Sequence, residues 1–274
     1  MPEGHTIHRL ARKHREVLAG QAIATASPQG RFSTGARRLD GRTLETVDAH
    51  GKHLFYRWGG GETLHVHLGL FGKFRLHRSQ PPPAPTSNTR LTMTGDEVAV
   101  YLAGPTVCEL VDPAEEEAIR RRLGPDPLRT GSGAVKLAQF TANLSRRRIP
   151  IGAALLDQRV IAGLGNIYRA EALFRTGIDP QLPADRLTAD AASRLWTESA
   201  TLLRQGRRDG RIITVDLADV GARRRSDLER TERLYVYKRT GEPCRRCGTP
   251  LSMTEMANRS IWWCSSCQPK GAGS

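Results

Sequence analysis

Two Cys-x-x-Cys pairs close the chain, Cys244 with Cys247 and Cys264 with Cys267, and sixteen residues separate them. No other feature restricts the fold so tightly. Each pair bends its segment around one tetrahedral ion, and four thiolates leave no coordination position open. The expectation is one structural Zn2+ held by all four cysteines. A tail of residues 235–268 is too short to build its own core, so metal binding supplies much of its folding free energy. The spacer LSMTEMANRSIWW places Ala-Asn, a turn signal, between strand-compatible residues. It reads as a β-hairpin held at its base by metal. The competing uses of such pairs are a redox dithiol or free thiols.

Lysine and arginine number 42 against 28 aspartates and glutamates, a formal net charge of +14 in 274 residues. Such a surplus favours a polyanionic partner, because each cation that neutralises a phosphate releases a condensed counterion. A merely soluble or ribosome-like basic surface is the alternative. Arg259, just past the hairpin turn, is placed to enter a nucleic-acid groove, or else is solvated surface. No apolar run approaches the ~18 residues of a membrane span. The first residues, Met-Pro-Glu-Gly-His, lack a basic and then apolar leader. A cytoplasmic protein is expected, and cysteines used for metal rather than disulfides agree with a reducing compartment.

Along the chain, residues 3–18 repeat Ile7, Leu10, Ala11, His14, Val17 and Leu18 at helical spacing, closed by Gly20. From 21 to 112 the runs HLFYRW (53–58), ETLHVHL (62–68), KFRLH (73–77) and EVAVYL (97–102) predict strands of an antiparallel sandwich or barrel. SQPPPAPTSN (79–88) is a loop, since proline cannot donate to a ladder. A charged helix follows at 113–122, then GPDP as a hinge. From 134 to 206 the period is helical, including IPIGAALLDQ, whereas 211–233 is basic and without clear pattern. The expected fold class is α+β and multidomain. A sandwich domain spans 1–122, a helical domain 129–230 and a metal finger 235–268.

Within the helical part, Gly163 and Gly165 permit an irregular connection, Asn166 then opens a helix, and Gly177 with Pro180 ends it. Amides exposed by glycine at a helix N-terminus make a phosphate site to which an Asn side chain adds a donor. A plain glycine turn between packed helices explains the same residues.

Pro2 is ordinary at a helix start. If Met1 is removed, however, it becomes a free secondary amine. An α-amine with a pKa of ~8 is roughly a tenth neutral at pH 7, far more than a lysine at ~10.4. Such an amine can attack the C1′ of a deoxyribose, and Glu3 beside it can stabilise the charge or move protons. Lys52, in HGKHLFYRW, precedes a strand with a buried pattern and is otherwise an ordinary surface lysine. Leu70 and Phe71 lie in the glycine-bracketed GLFG. They are either core or the kind of apolar wedge that enters a base stack.

Pro-Glu-Gly at 2–4, Gly-Lys-His-Leu at 51–54, His-Leu-Gly-Leu-Phe-Gly at 67–72, Gly165-Asn166 and the four-cysteine finger occur in this order in one family. The chain resembles, from end to end, the formamidopyrimidine-DNA glycosylase/endonuclease VIII (Fpg/Nei) family, and is most similar to the actinobacterial endonuclease VIII branch. The resemblance implies a sandwich, a helix–two-turn–helix domain and a zinc finger. It implies a bifunctional DNA glycosylase/AP lyase of base excision repair. Pro2 would be the Schiff-base nucleophile, Glu3 its acid/base partner and Lys52 a contact to phosphate and sugar. Asn166 and Arg259 would grip the backbone, Leu70 and Phe71 would fill the vacated stack, and Glu171 matches a recurrent acidic position. The implied partner is double-stranded DNA with a damaged base or abasic site, bound by a monomer without membrane.

Oxidised pyrimidines are the expected lesions. An oxidised-purine glycosylase or a non-catalytic damaged-DNA binding protein are the alternatives. Two departures stand out. Relatives commonly carry Pro-Glu where this chain has His5-Thr6, and Thr6 cannot act as that acid. Gly69 replaces a side chain that reaches into the double helix in some relatives.

Overall fold

The computed structural model describes residues 2–79 and 81–274. The chain forms two compact units, Met1–Arg122 and Leu123–Ser274.

The first unit opens with α1 (Gly4–Leu18). Its Ile7, Ala11 and Leu18 are buried at the predicted spacing. His14 shares that face, and its Nδ1 lies 2.7 Å from the Tyr56 hydroxyl, so the polar ring is satisfied inside the core. Then follow β1 (Ala22–Ala26), α2 (Ser33–Leu39), β2 (Arg42–His50), β3 (His53–Trp58), β4 (Thr63–His67), β5 (Lys73–His77), β6 (Thr89–Thr94), β7 (Ala99–Ala103), β8 (Val107–Val111) and α3 (Pro113–Arg121). The strands pair antiparallel in the order β5-β7-β6-β1-β2-β3-β4-β8. β1 meets β2 through Ala22 and Ile23 but β6 through Ala24–Ala26, so it passes from one layer to the other. Leu54, Tyr56, Trp58, Leu64 and Val66 from one layer and Leu91, Met93, Val100 and Leu102 from the other form one core, as in a sandwich. Asp112 and Glu115 form a reciprocal capping box at the start of α3. The sequence pattern overlooked α2, which buries only Ala36 and Leu39, too few positions to show a period.

The second unit contains α4 (Gly133–Ser145), α5 (Ile151–Ala154), α6 (Asn166–Thr176), α7 (Ala189–Asp209) and the hairpin β9 (Ser252–Glu255) with β10 (Ser260–Trp263). The helical period of IPIGAALLDQ yields only the four residues of α5. Beyond it, side chains supply the bonds a helix would have made. Gln158 donates to the carbonyls of Leu156 and Leu164 and accepts from the Gly163 amide, while Asp157 accepts from the Arg159 amide. Residues 211–233 hold two 3-10 turns, Leu217–Val220 and Arg230–Glu232. Ile261, Trp262, Cys244 and Cys264 belong to the same core as the helices, so the finger completes this unit rather than hanging from it.

Candidate nucleic-acid interface and catalytic amine

In the first unit Glu3 is fully buried and Pro2 half-buried beside it. Glu3 is the N-cap of α1 in extended conformation, and its carbonyl accepts from the amides of Thr6 and Ile7 at 2.9 and 3.2 Å. The carboxylate thus sits at the positive end of a fifteen-residue helix, where negative charge is favoured. Met1 lies outside the described residues. His5 is buried, with Nε2 3.1 Å from the Thr6 hydroxyl, and burial followed by the Arg9 charge pushes its pKa down to about 4. At neutral pH it is an uncharged imidazole.

Lys52 occupies the second position of a two-residue loop between β2 and β3, whose ends pair as His50 with His53. Gly51 takes φ 57°, as the first position of such a loop requires, so the turn chemistry of the motif is what presents the lysine. The GLFG loop joins β4 to β5. There Leu70 is 52% and Phe71 85% exposed, so neither is core. Gly69 has φ 64°, and a Cβ on it would lie 1.8 Å from the Thr106 hydroxyl. In this chain Thr106 therefore occupies the space next to the backbone at position 69.

In the second unit Gly165 caps α6 in extended conformation, and Gly177 closes it in the left-handed region. Asn166 Nδ2 donates to the Ser260 carbonyl at 3.1 Å. The Arg169 guanidinium, fully buried, donates to the carbonyls of Gly152, Arg259 and Ser260 at 2.8, 3.3 and 3.1 Å. Asn166 and Arg259, far apart in sequence, are thereby brought to one place. Ala257 and Asn258 both have positive φ, 54° and 57°, the type I′ geometry of a tight hairpin. The exposed Arg259 follows directly. Glu171 has a different task. It is fully buried, and its carboxylate accepts from the Thr214 hydroxyl and the amides of Tyr235, Val236 and Tyr237. It fastens both ends of the 211–233 segment to α6.

The thiol sulfurs of Cys244, Cys247, Cys264 and Cys267 all lie within 4.8 Å of one another. Three of the separations are 3.5, 3.5 and 3.9 Å. An ion ~2.3 Å from each of four tetrahedral sulfurs sets them about 3.8 Å apart, so the cage fits zinc. With four protein ligands the ion is structural.

Sequence reasoning missed Arg169, which looked like one more cation on a basic helix. It also missed a polar layer on the outer face of β3–β4. There Glu116 accepts from Arg57, from Arg120 at 2.7 Å and from Thr63 at 2.9 Å. Arg120 also donates to Asp48 at 3.0 Å. Histidines at alternate positions, 53 in one strand and 65 and 67 in the next, were the available signal.

Three family models tile the chain. The formamidopyrimidine-DNA glycosylase N-terminal domain matches residues 1–106, the H2TH domain of the same glycosylase 123–216, and the zinc finger found in FPG and IleRS 241–270. Endonuclease 8 1 of Mycobacterium tuberculosis is 44% identical over 273 residues, covering 98% of this chain and 100% of the relative. The chain belongs to the Fpg/Nei family. Among other members, the probable endonuclease 8 2 of Streptomyces coelicolor is 35% identical over 98% of this chain and 94% of its own. The crystal structure of the MutM (Fpg) protein from Thermus thermophilus superposes with a TM-score of 0.78 at 32% identity, covering 98% of this chain and 100% of that one. As an Fpg/Nei protein, the chain carries one structural zinc ion in its finger.

Proposed function

We propose that this protein is an endonuclease 8-type DNA glycosylase and AP lyase that uses the Pro2 amine as its nucleophile. The observation that carries the reading is Pro2 beside the fully buried Glu3 at the mouth of α1, within the matched glycosylase N-terminal domain. With Met1 removed, the Pro2 nitrogen attacks C1′ of the damaged nucleotide. The C1′–N bond breaks, its electron pair leaves with the base, and the base takes up a proton. The Pro2 nitrogen gives up its proton, the C1′–O4′ bond then breaks with O4′ taking up a proton, and the resulting ring-opened iminium acidifies C2′. Loss of that proton with cleavage of the 3′ C–O bond gives the nicked strand. Glu3 stabilises the cationic ring nitrogen, and either Glu3 itself or His5, buried against the Thr6 hydroxyl, takes the proton-transfer role left open by Thr6.

A base within a duplex is out of reach, so the nucleotide is flipped out at a cost of a few kcal/mol. Leu70 and Phe71 replace its stacking, and Lys52, Asn166 and Arg259 hold the phosphates. Oxidised pyrimidines are the substrates we assign, in line with 44% identity to Endonuclease 8 1 against 32% to the Thermus Fpg. The protein acts as a monomer on duplex DNA in the cytoplasm. No helix among the described residues is long and apolar enough to cross a membrane.

Borohydride trapping tests this on duplexes carrying 5-hydroxyuracil, 8-oxoguanine or an abasic site. A covalent adduct that Pro2→Gly abolishes is expected with 5-hydroxyuracil and with the abasic site. Binding without any adduct would overturn the enzyme, and trapping with 8-oxoguanine alone would move it to the oxidised-purine branch.

A further inference from the structure

The outer face of β5 carries basic side chains that no step above uses. Phe74 and Leu76 pack against the sandwich core, so Lys73, Arg75 and His77 point the other way. β5 ends the strand order and pairs with β7, which sets Arg75 opposite Tyr101. The proline-rich loop 81–88 returns over this face. Between loop and sheet lies a cleft of about 350 Å3, lined by Lys73, Arg75, His77 and Tyr101 from the sheet and by Thr86 and Asn88 from the loop.

The cleft is held open by fixed parts. Pro81, Pro82, Pro83 and Pro85 stiffen the loop. The Tyr101 hydroxyl, from a buried ring, donates to the Pro83 carbonyl at 2.9 Å. The buried Thr89 ends the loop, and its amide donates to the Thr86 carbonyl at 2.9 Å. His77 lies against Tyr101 with ring centroids 4.7 Å apart. Lys73 and Arg75 are exposed, and among the described residues no carboxylate lines the cleft. It therefore presents uncompensated positive charge, which calls for an anion.

Spacing decides which kind of anion. Alternate residues of a strand are about 6.7 Å apart, so Lys73 and His77 stand about 13 Å from each other along β5. One phosphate cannot reach both, whereas a chain of linked phosphates can. The Arg75 guanidinium suits paired phosphate oxygens, and Lys73 adds a point charge. Thr86 and Asn88 offer both donors and acceptors to a sugar or a base edge. A cleft of this volume is of small-ligand size, so it admits a single strand and not a duplex.

We propose that this cleft is a second nucleic-acid site, which holds the phosphates of a short single strand along β5. Neither Pro2 nor the Leu70-Phe71 pair takes part in it, so it stands or falls independently of the glycosylase assignment.

The test is fluorescence anisotropy of labelled hexathymidylate with the full-length protein, alone and with saturating unlabelled duplex that carries a tetrahydrofuran abasic analogue. The strand is expected to stay bound in the presence of the duplex. Arg75→Ala should weaken it about tenfold, and Arg75→Glu further, because a phosphate loses its cation. Thermal melting and borohydride trapping of an abasic duplex should be unaltered in both variants. Displacement of the strand by the duplex would overturn the proposal and assign these cations to one shared surface. Thymidine monophosphate competing as well as the hexamer would overturn the strand in favour of a lone phosphate ester. Binding indifferent to both Arg75 variants would overturn the site itself, leaving the charges as a guard against edge-to-edge pairing of β5.

Discussion

The Arg169 guanidinium and the Ser260 carbonyl, 3.1 Å apart, tie the first turn of α6 to the finger hairpin. Asn166 uses the same carbonyl, so the two side chains proposed to grip the DNA backbone share one support. A buried cation is expensive to desolvate, and three carbonyl acceptors offset that cost. Arg169→Met keeps the volume and removes the bonds. We expect damaged-duplex affinity to fall about tenfold while one zinc per chain is retained. Fluorescence anisotropy beside a colorimetric zinc assay would check it, and unchanged affinity would count against the shared support.

Glu171 predicts a loss of stability rather than of chemistry. Its replacement by alanine strands the amides of Tyr235, Val236 and Tyr237, while the Thr214 hydroxyl keeps the Arg233 carbonyl. Unpaired buried groups cost about 1–3 kcal/mol each, and local rearrangement recovers part of that. We expect about 3–5 kcal/mol in all, read as a fall in denaturation midpoint by urea titration. Glutamine should recover little, because its NH2 would face donors.

Zinc removal should reach beyond the finger. Cys264, Ile261 and Trp262 are buried in the core shared with α4–α7, so opening the thiolate cage exposes helical surface as well. Treatment with a strong chelator is expected to lower the melting temperature and abolish duplex binding, and added Zn2+ should restore both. A chelated protein that melts as before would show the cage to be dispensable.

Acid should weaken the first unit through its buried histidines. His14 and His53 are pushed down to about 3 and His5 to about 4, in each case chiefly by burial. Their unfolded value is near 6.5, so unfolding takes up protons below it. The stability they contribute is complete above pH 6.5 and is lost as pH falls towards 4, by at most about 1.4 kcal/mol per pH unit for each ring. Melting temperature should therefore be level from pH 7 to 8 and fall steadily from 6.5 to 4. His14→Phe, which also gives up the Tyr56 contact, should flatten that slope even if it lowers the plateau.

Local chemistry was legible in residue order alone. Cys-x-x-Cys pairs can close on one ion wherever they sit, Ala257-Asn258 announces its own turn, and Gly177 stops a helix by its own backbone preference. Strand patterning likewise marked β3 and β4, and the glycine bracket marked a turn at Leu70-Phe71, though only the structure shows the pair exposed. What depends on groups distant in sequence was not legible. No pattern in α6 tells that Arg169 points at finger carbonyls ninety positions on, or that Glu171 is consumed by the amides of 235–237. Glu109 meets His65 at 2.9 Å and His65 meets His53 at 2.8 Å only because sheet register sets β8, β4 and β3 side by side. Residue identity decides which bonds and turns are possible, but burial and register decide which partners meet.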